Sequence, residues 1–318
     1  SWKRRSAPPG GLDPSTLEIK SAEQCWEHFE SGESGVQEAI SRARESVLVA
    51  SSLWAETMRG TGRVIGLGAG TSGRLLALEM AEWGPTFSVP EDRCYALVAG
   101  GDMALTRAVE GAEDDGDAGR KAIEDLKVSE NDLVLGISAS GMADFVAQGL
   151  EAAGSLGAKR VFITGNPAAV VPGPGGVIPI LIATGSETVA GSTRLRAATA
   201  THRILQRIST MGALRLGWIY RGRMVMMKPT NRKLRARALT IVSQLADVSE
   251  KRADSLISMC SNDLRLAVAC GWLGKPAKET ETLLDAAQGQ LELIWQYLEP
   301  LKEGSMTSNQ LAERSDGA

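Results

Sequence analysis

Two short runs in this chain carry residue types suited to gripping an anion. The first, Gly68-Ala69-Gly70-Thr71-Ser72-Gly73, spells G-x-G-x-x-G. It follows the apolar run "RVIGL" and leads into a helical stretch expected over 74–82. Glycines let backbone N–H groups approach a ligand, and a helix N-terminus favours negative charge. Thr71 and Ser72 add two hydroxyls at that point. The second run, Ser138-Ala139-Ser140-Gly141, ends another apolar stretch, "DLVLGI". A dinucleotide fold needs an acidic residue about 20 positions beyond the glycines, at the end of the next strand, to hold a ribose. Here the first acid at that strand end is Asp102, 34 residues after Gly68. The spacing fails. Paired Ser/Gly loops with no ribose or nucleobase features suit a compact phosphate carried on a sugar.

Such loops need elements to hold them. Five apolar runs, "RVIGLGAG", "CYALVAGG", "DLVLGISASG", "RVFITGN" and "VIPILIATG", each stop at small residues. Helical stretches at 74–82, 103–126 and 142–156 separate the first four. This alternation predicts an α/β fold with a parallel sheet covered on both faces, and such sheets bind ligands beyond the carboxyl ends of their strands. Before the sheet, residues 13–60 read as helical, with a start at Asp13-Pro14-Ser15-Thr16 and a stop at Gly60-Thr61-Gly62. After it, residues 187–240 read as helical and basic. Arg194 to Arg237 holds 12 Lys/Arg and no Asp/Glu. Apolar residues at helical spacing (Ile204, Leu205, Ile208, Met211) mark that stretch as packed helices, in part a subunit interface, whose basic face adds positive field to an anionic-substrate site. A nucleic-acid partner is not expected, because aromatic residues are sparse there. The chain thus divides into a flexible arm at 1–12, a main domain at 13–240, a small C-terminal helical bundle at 241–300 and a disordered tail at 301–318.

Composition narrows the function further. The 318 residues are 43% hydrophobic and 23% charged, with a formal charge of −3. That balance points to neither nucleic acid nor membrane. No apolar run reaches the roughly 18 residues of a membrane span. Cys25, Cys94, Cys260 and Cys270 lack C-x-x-C spacing and read as free thiols of a reducing, cytoplasmic compartment. With two histidines only, His28 and His202, no metal site is expected.

The longer motifs resemble a known family. "GAGTSGR", "AEWGPTF", "AVEGAEDD", "GISASG", "AGSTRLRAATA" and "TNRKLRARA" are similar to segments of the N-acetylmuramic acid 6-phosphate etherases, of the sugar isomerase (SIS) fold group. The resemblance runs from about Leu12 to about residue 298. The related glucokinase regulatory proteins share the fold and bind sugar phosphates without the chemistry. The resemblance implies a five-stranded SIS-type sheet, a homodimer and cleavage of a lactyl ether at C3 of a 6-phosphorylated amino sugar. It implies elimination then hydration, run by two carboxylates with no cofactor.

Glu82 matches the family's proton donor and Glu113 its second catalytic acid. Which of them takes the C2 proton stays open. If the helix ends at Gly84-Pro85, Glu82 lies in its last turn beside Trp83, where the dipole and the indole would both raise its pKa. Glu110, Asp114 and Asp115 surround Glu113 with negative charge. Ser72 and Ser140, with Thr71 and Ser138, match the phosphate side. Glu187, Ser192 and Thr193 match positions lining the sugar, although N-capping of a helix would also account for them. The chain departs from the family at Trp83-Gly84-Pro85, where Cys-Pro-Pro is usual, and at Met142-Ala143-Asp144, where Arg-Thr-Pro is usual. Arg196 and Met226 replace a usual Lys and Asp.

Overall fold

The computed structural model of the protein describes residues 19–173 and 175–302. The arm expected at 1–12, the helix start expected at Asp13–Thr16 and the tail beyond Lys302 lie outside the described residues. Among these, the first helix, α1 (Ala22–Arg42), starts at Ser21, whose side chain accepts from the Gln24 N–H at 3.2 Å. A break at Ala43 separates α1 from α2 (Arg44–Arg59).

All five apolar runs form strands: β1 (Val64–Gly68), β2 (Cys94–Val98), β3 (Leu133–Ile137), β4 (Lys159–Thr164) and β5 (Val177–Leu181). They make one parallel sheet in the order β2-β1-β3-β4-β5. Every residue of β1 and β3 is buried, so both runs are continuously apolar rather than alternating. The helices that follow are α3 (Gly70–Phe87), α4 (Met103–Thr106), α5 (Gly116–Asp125), α6 (Asp144–Ser155) and α7 (Arg196–Arg215).

The two faces of the sheet carry different helices. Ile65 and Leu67 of β1 join Val134, Val146, Leu150 and Phe162 in a core that includes Ile123 of α5. Gly66 faces the other way, where an added Cβ would meet Leu76 and Met80 of α3. On that side Trp54 of α2 is fully buried against Gly212 of α7, and the buried Glu79 of α3 accepts from Ser209 Oγ at 2.6 Å. The chain therefore leaves β1 along one face and leaves β3, through α6, along the other. The strand order reverses at that point, and folds of this kind bind ligands beyond the carboxyl ends of the strands there.

The chain forms two compact units, one running to Glu82 and over Pro90–Gly212, the other over Trp83–Val89 and from Ala213 on. The second unit contains a hairpin, β6 (Ile219–Tyr220) with β7 (Arg223–Met224), and helices α8 (Arg232–Ala246), α9 (Glu250–Met259), α10 (Leu264–Leu273), α11 (Ala277–Ala286) and α12 (Leu291–Lys302). Its core is its own, built on Ile241, Val242, Leu256, Ile257, Val268 and Leu284. No helix among the described residues is long and apolar enough to cross a membrane.

Three helical expectations need correction. The stretch expected over 74–82 is α3, which runs on through Pro85 to Phe87. A proline this near the end forfeits one helical hydrogen bond only. The helix stops instead at Ser88, which takes a positive φ of 56° while its N–H donates to Gly84 O at 2.8 Å. The stretch expected over 103–126 is broken into α4, a 3-10 turn at Ala112–Asp114 and α5. Gly111, with φ of 74°, turns the chain, and the Asp115 side chain caps α5 by accepting from Ala118 N–H at 2.9 Å. The basic stretch is not one helical block either, since the β6–β7 hairpin interrupts it.

Candidate functional site

The loop after β1 is shaped by contact between backbones. A Cβ on Gly68 would sit 2.6 Å from the Gly73 nitrogen, and one on Gly73 would sit 2.6 Å from Val98 Cγ1. Only glycine lets the first turn of α3 press this closely on the strand end. Thr71 and Ser72 lie within that first turn, both half-buried. This 18-residue helix starts directly beyond the strand end, where its Ser72 and Gly73 N–H groups donate to Ala69 O at 3.1 and 3.4 Å.

The loop after β3 is closed by its own side chains. Ser138 is buried and its Oγ accepts from the Ala143 N–H at 3.3 Å. Ser140 Oγ accepts from the Met142 N–H at 3.2 Å. Asn166, beyond β4, donates from its side-chain amide to Ser140 O at 2.8 Å and braces the loop from the next strand. Asp144 is the first residue of α6 and is exposed, so this loop carries a carboxylate where the helix dipole favours one.

Glu113 stands on the 3-10 turn, exposed, and not on a helix face. It lines a cavity of about 200 Å³ together with Ala69 and Gly70 of the β1 loop, Arg74, Arg107 and Glu110. Glu187 and Thr193 line a second cavity of about 220 Å³ with Ala139 of the β3 loop and Pro167. Each Ser/Gly loop thus meets one of the expected acids. Ser192 and Thr193 do not begin a helix as expected; they lie in the loop before α7. Glu187 is buried, and its two carboxylate oxygens accept from the Arg196 and Ala197 N–H groups at 2.9 and 3.0 Å. It caps α7 from nine residues upstream while bordering the second cavity.

Glu82 is placed differently. Because α3 continues to Phe87, it stands more than a turn short of the helix end, and it is exposed while Trp83 is buried. Consecutive helical residues do not face each other, so the indole does not cover it. Glu82 lines neither cavity. Eleven residues separate it from Thr71, which is three turns, about 16 Å of rise and nearly the same helix face. Between them on that face is Leu78, 49% exposed.

The basic run does several jobs. Arg196 donates to Ser186 O at 2.7 Å and to His28 O at 2.7 Å, tying α1 to the loop before α7. Arg203 donates to Gln37, Arg235 pairs with Asp254, and Arg221 lies over the rings of Tyr220 and Trp295. The cavity-lining residues that sequence reasoning passed over are Arg74 and Arg107. One signal existed for Arg74: an arginine this close to a helix N-terminus opposes the dipole, so it serves something outside the helix. Among the described residues no group of three His, Cys, Asp or Glu side chains could hold a metal ion.

Residues 21–154 match the family described as the glucokinase regulatory protein N-terminal SIS domain. A phosphoheptose isomerase from Francisella tularensis is a distant structural neighbour at TM-score 0.48 and 17% identity, over 62% of this chain and 100% of that one. The N-acetylmuramic acid 6-phosphate etherase of a Picosynechococcus species is 39% identical over 86% of this chain and 91% of its own length. The protein of that name from Lactococcus lactis subsp. cremoris is 42% identical over 72% of this chain and 77% of its own. On relatives this similar, matched over most of their length, the chain belongs to the N-acetylmuramic acid 6-phosphate etherase family.

Proposed function

We propose that this chain cleaves the D-lactyl ether of N-acetylmuramic acid 6-phosphate, releasing D-lactate and N-acetylglucosamine 6-phosphate. A carboxylate removes the C2 proton of the open-chain aldehyde, and the electron pair forms the C2–C3 double bond. The C3–O bond breaks, and a second carboxyl group protonates the departing lactate oxygen. Water then adds across the double bond, its oxygen to C3 and a proton to C2. Glu82 acts as acid and Glu113 as the second acid/base, with no cofactor. Thr71, Ser72, Ser138 and Ser140 hold the phosphate, and Glu187, Ser192 and Thr193 line the sugar. The observation that carries this reading is Glu113 in one cavity with the β1 loop, so that a carboxylate stands beside an anion-holding turn.

The same reading includes a homodimer working in the cytoplasm, in cell-wall sugar recycling. The test is direct. Purified protein is incubated with the phosphosugar and released D-lactate is assayed. The expected result is release by the wild type and a loss of at least about a hundredfold in Glu82→Gln and in Glu113→Gln. Asp144 at the start of α6 favours a second reading, a non-catalytic sugar-phosphate sensor, because a carboxylate there weakens phosphate binding by charge. Folded wild type that binds the phosphosugar in calorimetry yet releases no lactate would decide for the sensor.

A further inference from the structure

We infer that Arg74 is a positioning residue for Glu113. This rests on the reading of Glu113 as a catalytic acid. Arg74 leaves α3 one residue after the glycine that presses on β1. Its Nε donates to Ala104 O at 2.9 Å and to Leu105 O at 3.2 Å, and its Nη2 donates to Arg107 O at 2.9 Å. The first two carbonyls belong to α4, and the third to its C-cap. A four-residue helix is far below the length that persists unaided, and its last carbonyls have no partners within it. One planar guanidinium supplies those partners and sets positive charge at the negative end of α4.

The consequence reaches Glu113 through a short span of chain. Arg107 stands six residues before it. Between them, Val109 packs on Gly100, and Gly111 turns the chain into the 3-10 turn that bears Glu113. Arg74 and Glu113 line the same cavity beside Gly70. Arg74 therefore couples the element that starts at the β1 loop to the segment that carries the acid. Without it, the β1 loop keeps its glycine contacts while the 104–113 segment loses its anchor.

Two arms test this on the full-length protein. In kinetics, Arg74→Gln should lower kcat by about tenfold to a hundredfold, with KM held within about threefold, as expected when geometry and not binding is lost. The double variant Arg74→Gln/Glu113→Gln should be no slower than Glu113→Gln alone, because one residue acts through the other. Effects that multiply would overturn the inference. In amide hydrogen exchange, the Ala104 and Arg107 amides should exchange at least about tenfold faster in Arg74→Gln, with those of Ser72 and Gly73 unchanged. Unchanged exchange at Ala104 and Arg107 would overturn it whatever the activity. If wild type releases no lactate, the etherase reading fails by itself and the exchange arm still decides the anchoring role. Should Arg74→Gln not fold, Arg74→Lys takes its place in both arms, with an intermediate exchange rate expected because one ammonium replaces the planar fork.

Discussion

Asp132, at the mouth of β3, is 2% exposed and takes the Arg63 backbone N–H at 2.7 Å, the Arg63 guanidinium at 2.7 Å and the Ser129 N–H at 2.9 Å. Burial works to raise its pKa, but the hydrogen bonds and charge of Arg63 together with the Ser129 N–H outweigh it and hold the carboxyl below the usual carboxylate range. A group depressed in the folded state stabilises it fully above the unfolded pKa, about 3.9, and loses that contribution as pH falls through the folded value. Asp132→Asn should therefore lower unfolding stability by about 2 kcal/mol at pH 7. In urea titrations the gap from wild type should close below about pH 4. A gap independent of pH would show that shape and not charge matters at this position.

The β1–α3 junction is the element whose failure would reach furthest, because the strand end, the first turn and the glycine-rich loop share one contact. Gly73→Ala puts a Cβ 2.6 Å from Val98 Cγ1 and 2.8 Å from Gly68 O, and the backbone atom cannot step aside. It should cost about 1–3 kcal/mol in urea unfolding and weaken inorganic phosphate binding measured by calorimetry. Unchanged phosphate affinity would separate this loop from the anion. All five strands were legible in the sequence because each is an apolar run that stops at small residues. So was the place of each Ser/Gly loop at a strand end, since each follows an apolar run. The end of α3 was not, because a proline-stop rule outranks what one late proline costs. Nor was the break of 103–126, where Gly111 and a guanidinium from another element override the local helical pattern. For Glu187 the capping was legible but its reach was not: it caps α7 across nine residues, a distance at which spacing rules are silent. Glu113 was singled out through family motifs alone, for nothing in "AVEGAEDD" sets it apart from its acidic neighbours.

At the scale of the whole molecule, two units with separate cores should report their unfolding separately. Cys260 and Cys270 lie buried in the second unit with sulfurs 3.7 Å apart, and all four cysteines are free thiols. Burial, with Cys270 beside it, pushes the Cys260 thiol up to about 12, so it is protonated and unreactive while its core is closed. Alkylation of Cys260 along a urea series should therefore track the bundle, and loss of phosphate binding should track the sheet unit. Midpoints that differ would fit two cooperative blocks, and coincident midpoints would join them into one. The loop after β3 has a consequence of another kind. Ser138 and Ser140 already occupy its Ala143 and Met142 N–H groups, and Asn166 holds it from the neighbouring strand. Its entropy is surrendered during folding, long before any ligand arrives. A ligand that used this loop would meet it already ordered, and its association rate would be set by encounter rather than by loop rearrangement.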